Sequence, residues 1–234
     1  MEPVSDLDLI GIQAQALYAI DDSGRLINVN DPARSIAPRF AMWRTAQGNV
    51  WRYRHDLPRD VVRALDAVAS TERVTGDFRE QPASLALYRG LLDGDAPVGE
   101  VYAGPAFRFP AEPLPAGDAE MIHGDNAELL RSYFPDWLPV LEECQPYFAI
   151  IRDDAAVSLC HSARRSARAA EAGIETHRDF RMQGYATAAV AAWSEAVQGE
   201  GLIPLYSTSW ENGPSLSVAR RLGLIIYGEN VHLT

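Results

Sequence analysis

An α/β fold built around one sheet is predicted by the second half of the chain, where short apolar runs alternate with segments of helical periodicity. Two runs, 147 to 151 and 155 to 161, flank the turn-forming Arg152-Asp153-Asp154, a spacer of hairpin length. From Tyr185 onward, Ala188, Ala189, Ala192, Trp193, Ala196 and Val197 recur at three- and four-residue steps, the apolar stripe of a helix ending near Gly199 and Gly201.

Taken in order, residues 17 to 20 and 25 to 29 flank Asp21-Asp22-Ser23-Gly24 and predict a hairpin. Pro58 precedes a helix over 60 to 68. Pro105, Pro110, Pro113 and Pro115 remove N–H groups and fix φ, so no regular element is expected between Gly104 and Gly117. A domain boundary is placed there, dividing the chain into a smaller α+β N-terminal domain, 1–115, and a second domain, 116–234.

The second domain opens with a short strand at 120 to 123, and Asn126 is expected to cap a helical stretch reaching Cys144, interrupted by Pro135 and Pro139. A third strand, 169 to 177, follows the basic turn from Arg164 to Arg168, and a further strand, 202 to 209, follows the long helix. Pro214 and Ser215 open another helix, Gly223 ends it, and residues 224 to 227 form a closing strand.

Composition narrows the function. With 47% hydrophobic and 23% charged residues the chain has the mixture of a folded protein, and a net charge of -11 argues against nucleic acid and anionic membrane as partners. An amine substrate is easier to accommodate. Cys144 and Cys160 are too few for a disulfide framework, lack metal-site spacing, and read as buried thiols. No H-E-x-x-H or G-x-S-x-G occurs, so neither a metal nor a serine hydrolase is expected. The start, Met1-Glu2-Pro3-Val4-Ser5-Asp6, lacks a signal-peptide pattern, and no apolar run reaches membrane-spanning length, so the expected compartment is the cytoplasm.

The chemistry concentrates in one turn. Between the strand ending at His177 and the helix beginning near Gly184, unpaired N–H groups and the positive helix end converge, which suits an anion. Gly184 allows close approach to the main chain, Ala186 keeps the next turn small, and Arg181 adds a fixed charge. There is no G-x-G-x-x-G around this turn and no G-x-x-x-x-G-K-[ST] in the chain, which excludes the usual dinucleotide and nucleoside-triphosphate loops.

Arg181-Met182-Gln183-Gly184-Tyr185-Ala186 resembles the pyrophosphate-binding motif [RQ]-x-x-G-x-[GA] of the GNAT superfamily of N-acetyltransferases. The resemblance runs from about residue 120 to the C-terminus. It includes the strand from Glu171 to Thr176, the helix start Asn212-Gly213-Pro214-Ser215, and Ala219-Arg220-Arg221-Leu222-Gly223-Leu224. It implies a splayed mixed sheet flanked by helices, with acetyl-CoA as co-substrate between two parting strands. The cofactor contacts it implies are the main chain of Ile174, Glu175 and Thr176, the turn Arg181, Met182, Gln183, Gly184, Tyr185, Ala186 and Thr187, and Asn212 with Ser215. The N-terminal domain would then be a substrate-shaping unit or a degenerate half of the same fold.

The implied activity is direct transfer of acetyl to a primary amine, expected to be that of a small molecule. The rival reading is a CoA-binding sensor or scaffold without catalysis, and homodimerisation is left open. Glu171 and Glu175 share one face of their strand and are the candidate bases, Glu171 first; its alternative role is as a partner for Arg164, Arg165 or Arg168. His161 and His177 are weaker candidates. The family's tyrosine acid aligns with Ala219 and is missing here, leaving Tyr206, Ser207 and Ser209 as substitutes. Trp43, Trp51, Tyr53, Phe107 and Phe109 are expected to be core more often than pocket.

Overall fold

The computed structural model describes residues 4–112, 114–115 and 117–234. The start at Met1-Glu2-Pro3, Pro113 among the expected chain breakers, and Ala116 at the expected domain start lie outside the described residues. A helix the sequence reading lacked comes first: α1, Asp6–Leu17, whose N-cap Ser5 accepts from the Asp8 N–H. Its buried residues Leu9, Ile10, Ile12, Gln13, Ala14, Ala16 and Leu17 are spread around the helix, so no single stripe announced it.

The expected hairpin follows as β1, Tyr18–Ile20, and β2, Leu26–Val29. Strands β3, Phe40–Thr45, and β4, Gly48–Tyr53, form a second hairpin. Behind Pro58 lies α2, Arg59–Ala69, followed by α3, Leu85–Asp93.

The next element corrects an expectation. Strand β5, Val101–Arg108, runs through Pro105, where no regular element was expected. Its Pro105 carbonyl accepts from the Thr208 N–H at 3.4 Å, just beyond the end of the neighbouring strand. A strand residue's N–H and C=O leave by the same edge, so the missing proline N–H faces a place where the ladder has already stopped.

After the two-residue strand β6, Glu120–Met121, come two 3₁₀ segments, Gly124–Leu130 and Pro135–Cys144. His123, not Asn126, is the N-cap of the first; Asn126 completes the box from inside by accepting from the His123 N–H at 2.8 Å. Strands β7, Tyr147–Arg152, β8, Ala155–Arg165, and β9, Ala169–Thr176, form an antiparallel meander. The chain closes with α4, Tyr185–Gly199, β10, Ile203–Ser207, α5, Gly213–Arg221, and β11, Ile225–Leu233. Strands β8 and β11 are longer than expected because cross-strand pairing carries them past their apolar runs.

Nine strands make one mixed sheet in the order β4-β3-β11-β5-β10-β9-β8-β7-β6. The expected boundary at 115/116 lies in the connection from β5 to β6, and the sheet is continuous across it. Strand β5 is antiparallel to both β10 and β11 and separates them. Leu205 and Trp43 pack under α1 on one face, where Leu159 and Tyr147 pack against the 3₁₀ segments. The other face is covered by α4 and α5 around Trp193 and Tyr206, and by α2 and α3 around Phe40, Tyr88 and Val231. Trp43, Tyr53 and Phe107 are buried, Trp51 packs against the cluster that holds Tyr53 and Phe109 against the one that holds Phe107, so these aromatics serve the core. Cys144 and Cys160 are free and buried, and burial pushes both thiols up. Among the described residues no helix is long and apolar enough to cross a membrane.

Candidate functional site

The sheet forks between β9 and β10. These parallel strands pair at Ala169 with Ile203, Ala170 with Pro204 and Glu171 with Leu205, while β9 continues to Thr176 alongside β8. Edge polarity follows from two hydrogen bonds. The His177 N–H donates to the Val157 carbonyl at 3.0 Å, so odd residues direct their main-chain groups to β8. Even residues face the opening, and the Thr176 carbonyl there accepts from Arg181 Nε at 3.2 Å. The Ile174 main chain and the Thr176 N–H thus offer an unfilled strand edge inside the fork, the arrangement onto which an extended ligand can add as a strand.

At the mouth of the fork the chain makes a short 3₁₀ turn, Arg178–Phe180, and then passes through Met182 and Gly184 in the left-handed region, φ 65° and 83°. Gly184 is the N-cap of α4 and has no side chain with which to cap it. The N–H groups of Tyr185 and Ala186 have no partners earlier in the helix, whereas that of Thr187 donates to the Gly184 carbonyl at 3.0 Å. An added Cβ on Gly184 would meet nothing within 4 Å, so the space above the turn is open. Met182 is 89% exposed beside it. Arg152, at the end of β7, adds a cation that sequence reasoning missed: its guanidinium lies 4.6 Å from the Tyr185 ring centroid, bonds the Tyr185 hydroxyl at 3.2 Å, and pairs with Asp118 at 2.8 Å. Nothing in the local sequence around Arg152 signals this, because α4 comes to it only through packing.

Both candidate carboxylates lie on the α1 face, in opposite environments. Glu171 is buried at the root of the fork, with Gln13 Nε2 of α1 at 3.3 and 3.5 Å from its two oxygens. Burial raises its pKa, and hydrogen bonds from Ser207 and Gln13 oppose that rise, as does the Arg164 charge. It forms no ion pair with Arg164, Arg165 or Arg168 among the described residues, and Arg165 pairs instead with Glu200 at 2.6 Å. Glu175 is exposed and accepts from Trp137 Nε1 at 3.0 Å. Between them Gly173 makes room for His161: an added Cβ would lie 2.7 Å from His161 Nε2 and 2.8 Å from the Ala163 Cβ. His161 is buried against Trp137 and Tyr147, and burial lowers its pKa to about 4. His177 instead packs on Tyr133 at the fork's outer end.

The remaining candidates divide. The Tyr206 hydroxyl faces α5 and bonds Ser215 Oγ at 2.6 Å, whereas Ser207 lies by Glu171. Asn212 caps α5 by accepting from the Ser215 N–H at 3.2 Å, and Ala219 is buried. Both Asn212 and Ser215 are therefore engaged within the fold. A second phenol was missed by sequence reasoning, Tyr102 of β5. It stacks on His232 with centroids 4.5 Å apart, and its hydroxyl would be 2.8 Å from a Cβ on Gly104. Burial, followed by the Glu171 charge, raises its pKa, so it stays protonated at neutral pH. A cleft of about 740 Å³ opens beside it, lined among others by Trp210, Glu211, Glu229 and Arg79. Among the described residues no group of three or more His, Cys, Asp or Glu side chains is arranged to hold a metal.

A family model described as GNAT acetyltransferase matches residues 143–229, from the end of the second 3₁₀ segment into β11. No curated protein matches the chain significantly. Among solved structures, a GNAT-family acetyltransferase from Colwellia psychrerythraea is similar over 79% of this chain and 75% of that one, at 12% identity and TM-score 0.51. A GNAT-family protein from Novosphingobium aromaticivorans is similar over 58% of this chain, at 13% identity and TM-score 0.45. The match spans 65% of that protein's length. An aminoglycoside N-acetyltransferase in complex with CoA matches 47% of this chain and 92% of that one, at 22% identity and TM-score 0.39. From β7 into β11 the chain thus matches the GNAT acetyltransferase family, and its fold is shared with a GNAT-family acetyltransferase.

Proposed function

We propose that the protein transfers the acetyl group of acetyl-CoA to a primary amine of a small molecule, directly, within a ternary complex. The observation that carries this reading is the fork: a strand edge free at Ile174 and at the Thr176 N–H leads from the uncapped N-terminus of α4 to a buried carboxyl at Glu171. The residues fit the cofactor. The turn 181 to 187 has the Tyr185 and Ala186 N–H groups without partners earlier in the helix, Arg181 and open space over Gly184 for a pyrophosphate, and the free edge suits the two amides of a pantetheine arm.

Acetyl-CoA, when bound, supplies the acetyl group activated as a thioester. The acceptor nitrogen must arrive unprotonated and lose a proton as its bond to the acetyl carbon forms and the carbon–sulfur bond breaks. Glu171 is the group at the root of the fork able to take that proton, and its raised pKa brings its basicity closer to neutrality. Ser207, beside Glu171, and the protonated Tyr102 are hydroxyls available to the departing sulfur. The test is release of CoA thiol over a panel of amines. Binding of acetyl-CoA without turnover on any amine would favour the second reading, a CoA-binding module without transfer, which the buried Ala219 at the family's acid position supports.

A further inference from the structure

We propose that Arg164 anchors a carboxylate of the acceptor, so that the acceptor is an amino acid or a similar amine bearing an acidic group, held with its nitrogen towards Glu171. This rests on the acetyl-transfer reading of the fork. Arg164 and Glu171 are register partners on β8 and β9. They share a face only because of a bulge between Ser162 and Arg164. Without the extra residue Ala163 would oppose Glu171, and Arg164 would point to the α4 face. The irregularity therefore carries a guanidinium into the space under α1.

Once there, Arg164 lacks the carboxylate partner that the buried Arg44 and the neighbouring Arg165 have. Arg44 pairs with Glu229 at 2.7 Å, and Arg165 pairs with Glu200 and bonds the Gln145 carbonyl. Among the described residues no carboxylate lies within ion-pair distance of Arg164, and no hydrogen bond ties its guanidinium, although the residue is only partly exposed. Glu171 is engaged by Gln13 instead. A half-buried guanidinium with no protein partner at the root of a fork can be matched bidentately by a carboxylate.

The surroundings repeat the pattern. On this face Gln13 Oε1, the Tyr227 hydroxyl and the Nδ1 atoms of His161 and His232 are buried without hydrogen-bond partners. Buried polar atoms are rarely left unmatched, and several on one face point to a polar ligand or to water that such a ligand would displace. The Arg164 charge acts on Glu171, Tyr102, His161 and His232, in each case after the larger effect of burial. Solvent reaches Arg164 through a cleft of about 140 Å³, lined also by Asn30, Asp31, Glu143 and Ser162. A zwitterion matches this set, with its carboxylate on Arg164 and its nitrogen on Glu171.

The test compares amino acids with their carboxamides as acceptors, using the full chain, wild type and Arg164→Gln. The wild type should prefer the acids, and Arg164→Gln should lower the ratio of kcat/KM for acid over amide by about ten- to hundredfold, mainly through KM. Arg164→Lys should recover part of the preference, and unaltered acetyl-CoA affinity checks that the variants are folded. Equal use of acids and amides by the wild type, or an unchanged ratio in Arg164→Gln, would overturn the proposal. If no amine is acetylated, the transfer reading fails by itself; calorimetric titration of the CoA-bound protein with the same amino acids then decides. Binding lost in Arg164→Gln supports the anchor, and absent or unaffected binding refutes it.

Discussion

Glu171 and Gly184 were named from the sequence, and each gains a physical environment in the structure. Glu171 needs to be ionised to accept a proton, and burial holds its pKa above the ordinary glutamate value. The acidic limb of kcat/KM is therefore expected above that value, with activity rising as pH rises through it. Glu171→Gln should remove that limb and lower the rate by about 10²- to 10⁴-fold, as pH profiles of both forms would show. At Gly184 a side chain would meet no neighbour, but φ of 83° penalises a β-branched residue and the added bulk would occupy the place of the phosphates. Gly184→Val should weaken acetyl-CoA binding by about tenfold or more in a calorimetric titration; an unaltered affinity would move the cofactor elsewhere. Gly173 was not singled out by its sequence, because its function is to leave room for the ring of His161. Gly173→Ala should cost about 1 to 3 kcal/mol in urea unfolding.

Strand β5 shows where local reading of an element fails. Four prolines in a short stretch argued for an irregular linker, yet Pro105 sits within a central strand because its absent N–H falls where β10 has ended. Only the neighbouring strand reveals that edge. Helix α1 was hidden for the opposite reason: it is buried on several sides and has no stripe, although Ser5 and Asp8 spelled its cap. The β1–β2 and β7–β8 hairpins, α2, α4 and α5 were legible because each carries its own punctuation, in the turns at Asp21–Gly24 and Arg152–Asp154 and in Pro58, Gly184 and Pro214, whereas the β3–β4 hairpin was not read. Strand β11 also carries a buried ion pair, Glu229 with Arg44 of β3, completed by Trp210 Nε1 at 2.7 Å and the Glu80 carbonyl. Glu229→Leu would leave Arg44 buried without its counterion and should lower stability by about 3 to 5 kcal/mol, measured by denaturant unfolding.

At the scale of the molecule, two buried histidines set the response to acid. Burial lowers both His161 and His232 to about 4, whereas the unfolded chain titrates them near 6.5. Between those values the unfolded state binds more protons, so stability falls as pH falls from about 6.5 to about 4, by about 1.4 kcal/mol per pH unit for each histidine. Glu171 acts in the opposite sense, since its raised value favours the folded state at low pH and that contribution is lost as pH rises through it. Urea unfolding of wild type and His161→Gln at several pH values should show the slope reduced by about one histidine's share.

What the sequence by itself determined was chemistry that is local in the chain: a strand, a turn with Arg181 and Gly184, and an amphipathic helix, in the order that marks the family. Those features are encoded by residues within a few positions of one another, so propensity and spacing suffice to read them. Tertiary structure alone decided that the N-terminal strand β5 stands between β10 and β11, that α1 buries Glu171, and that a bulge brings Arg164 beside it. Each of these joins residues far apart in sequence through hydrogen-bond registers and packing, and no local pattern of side chains records such a pairing.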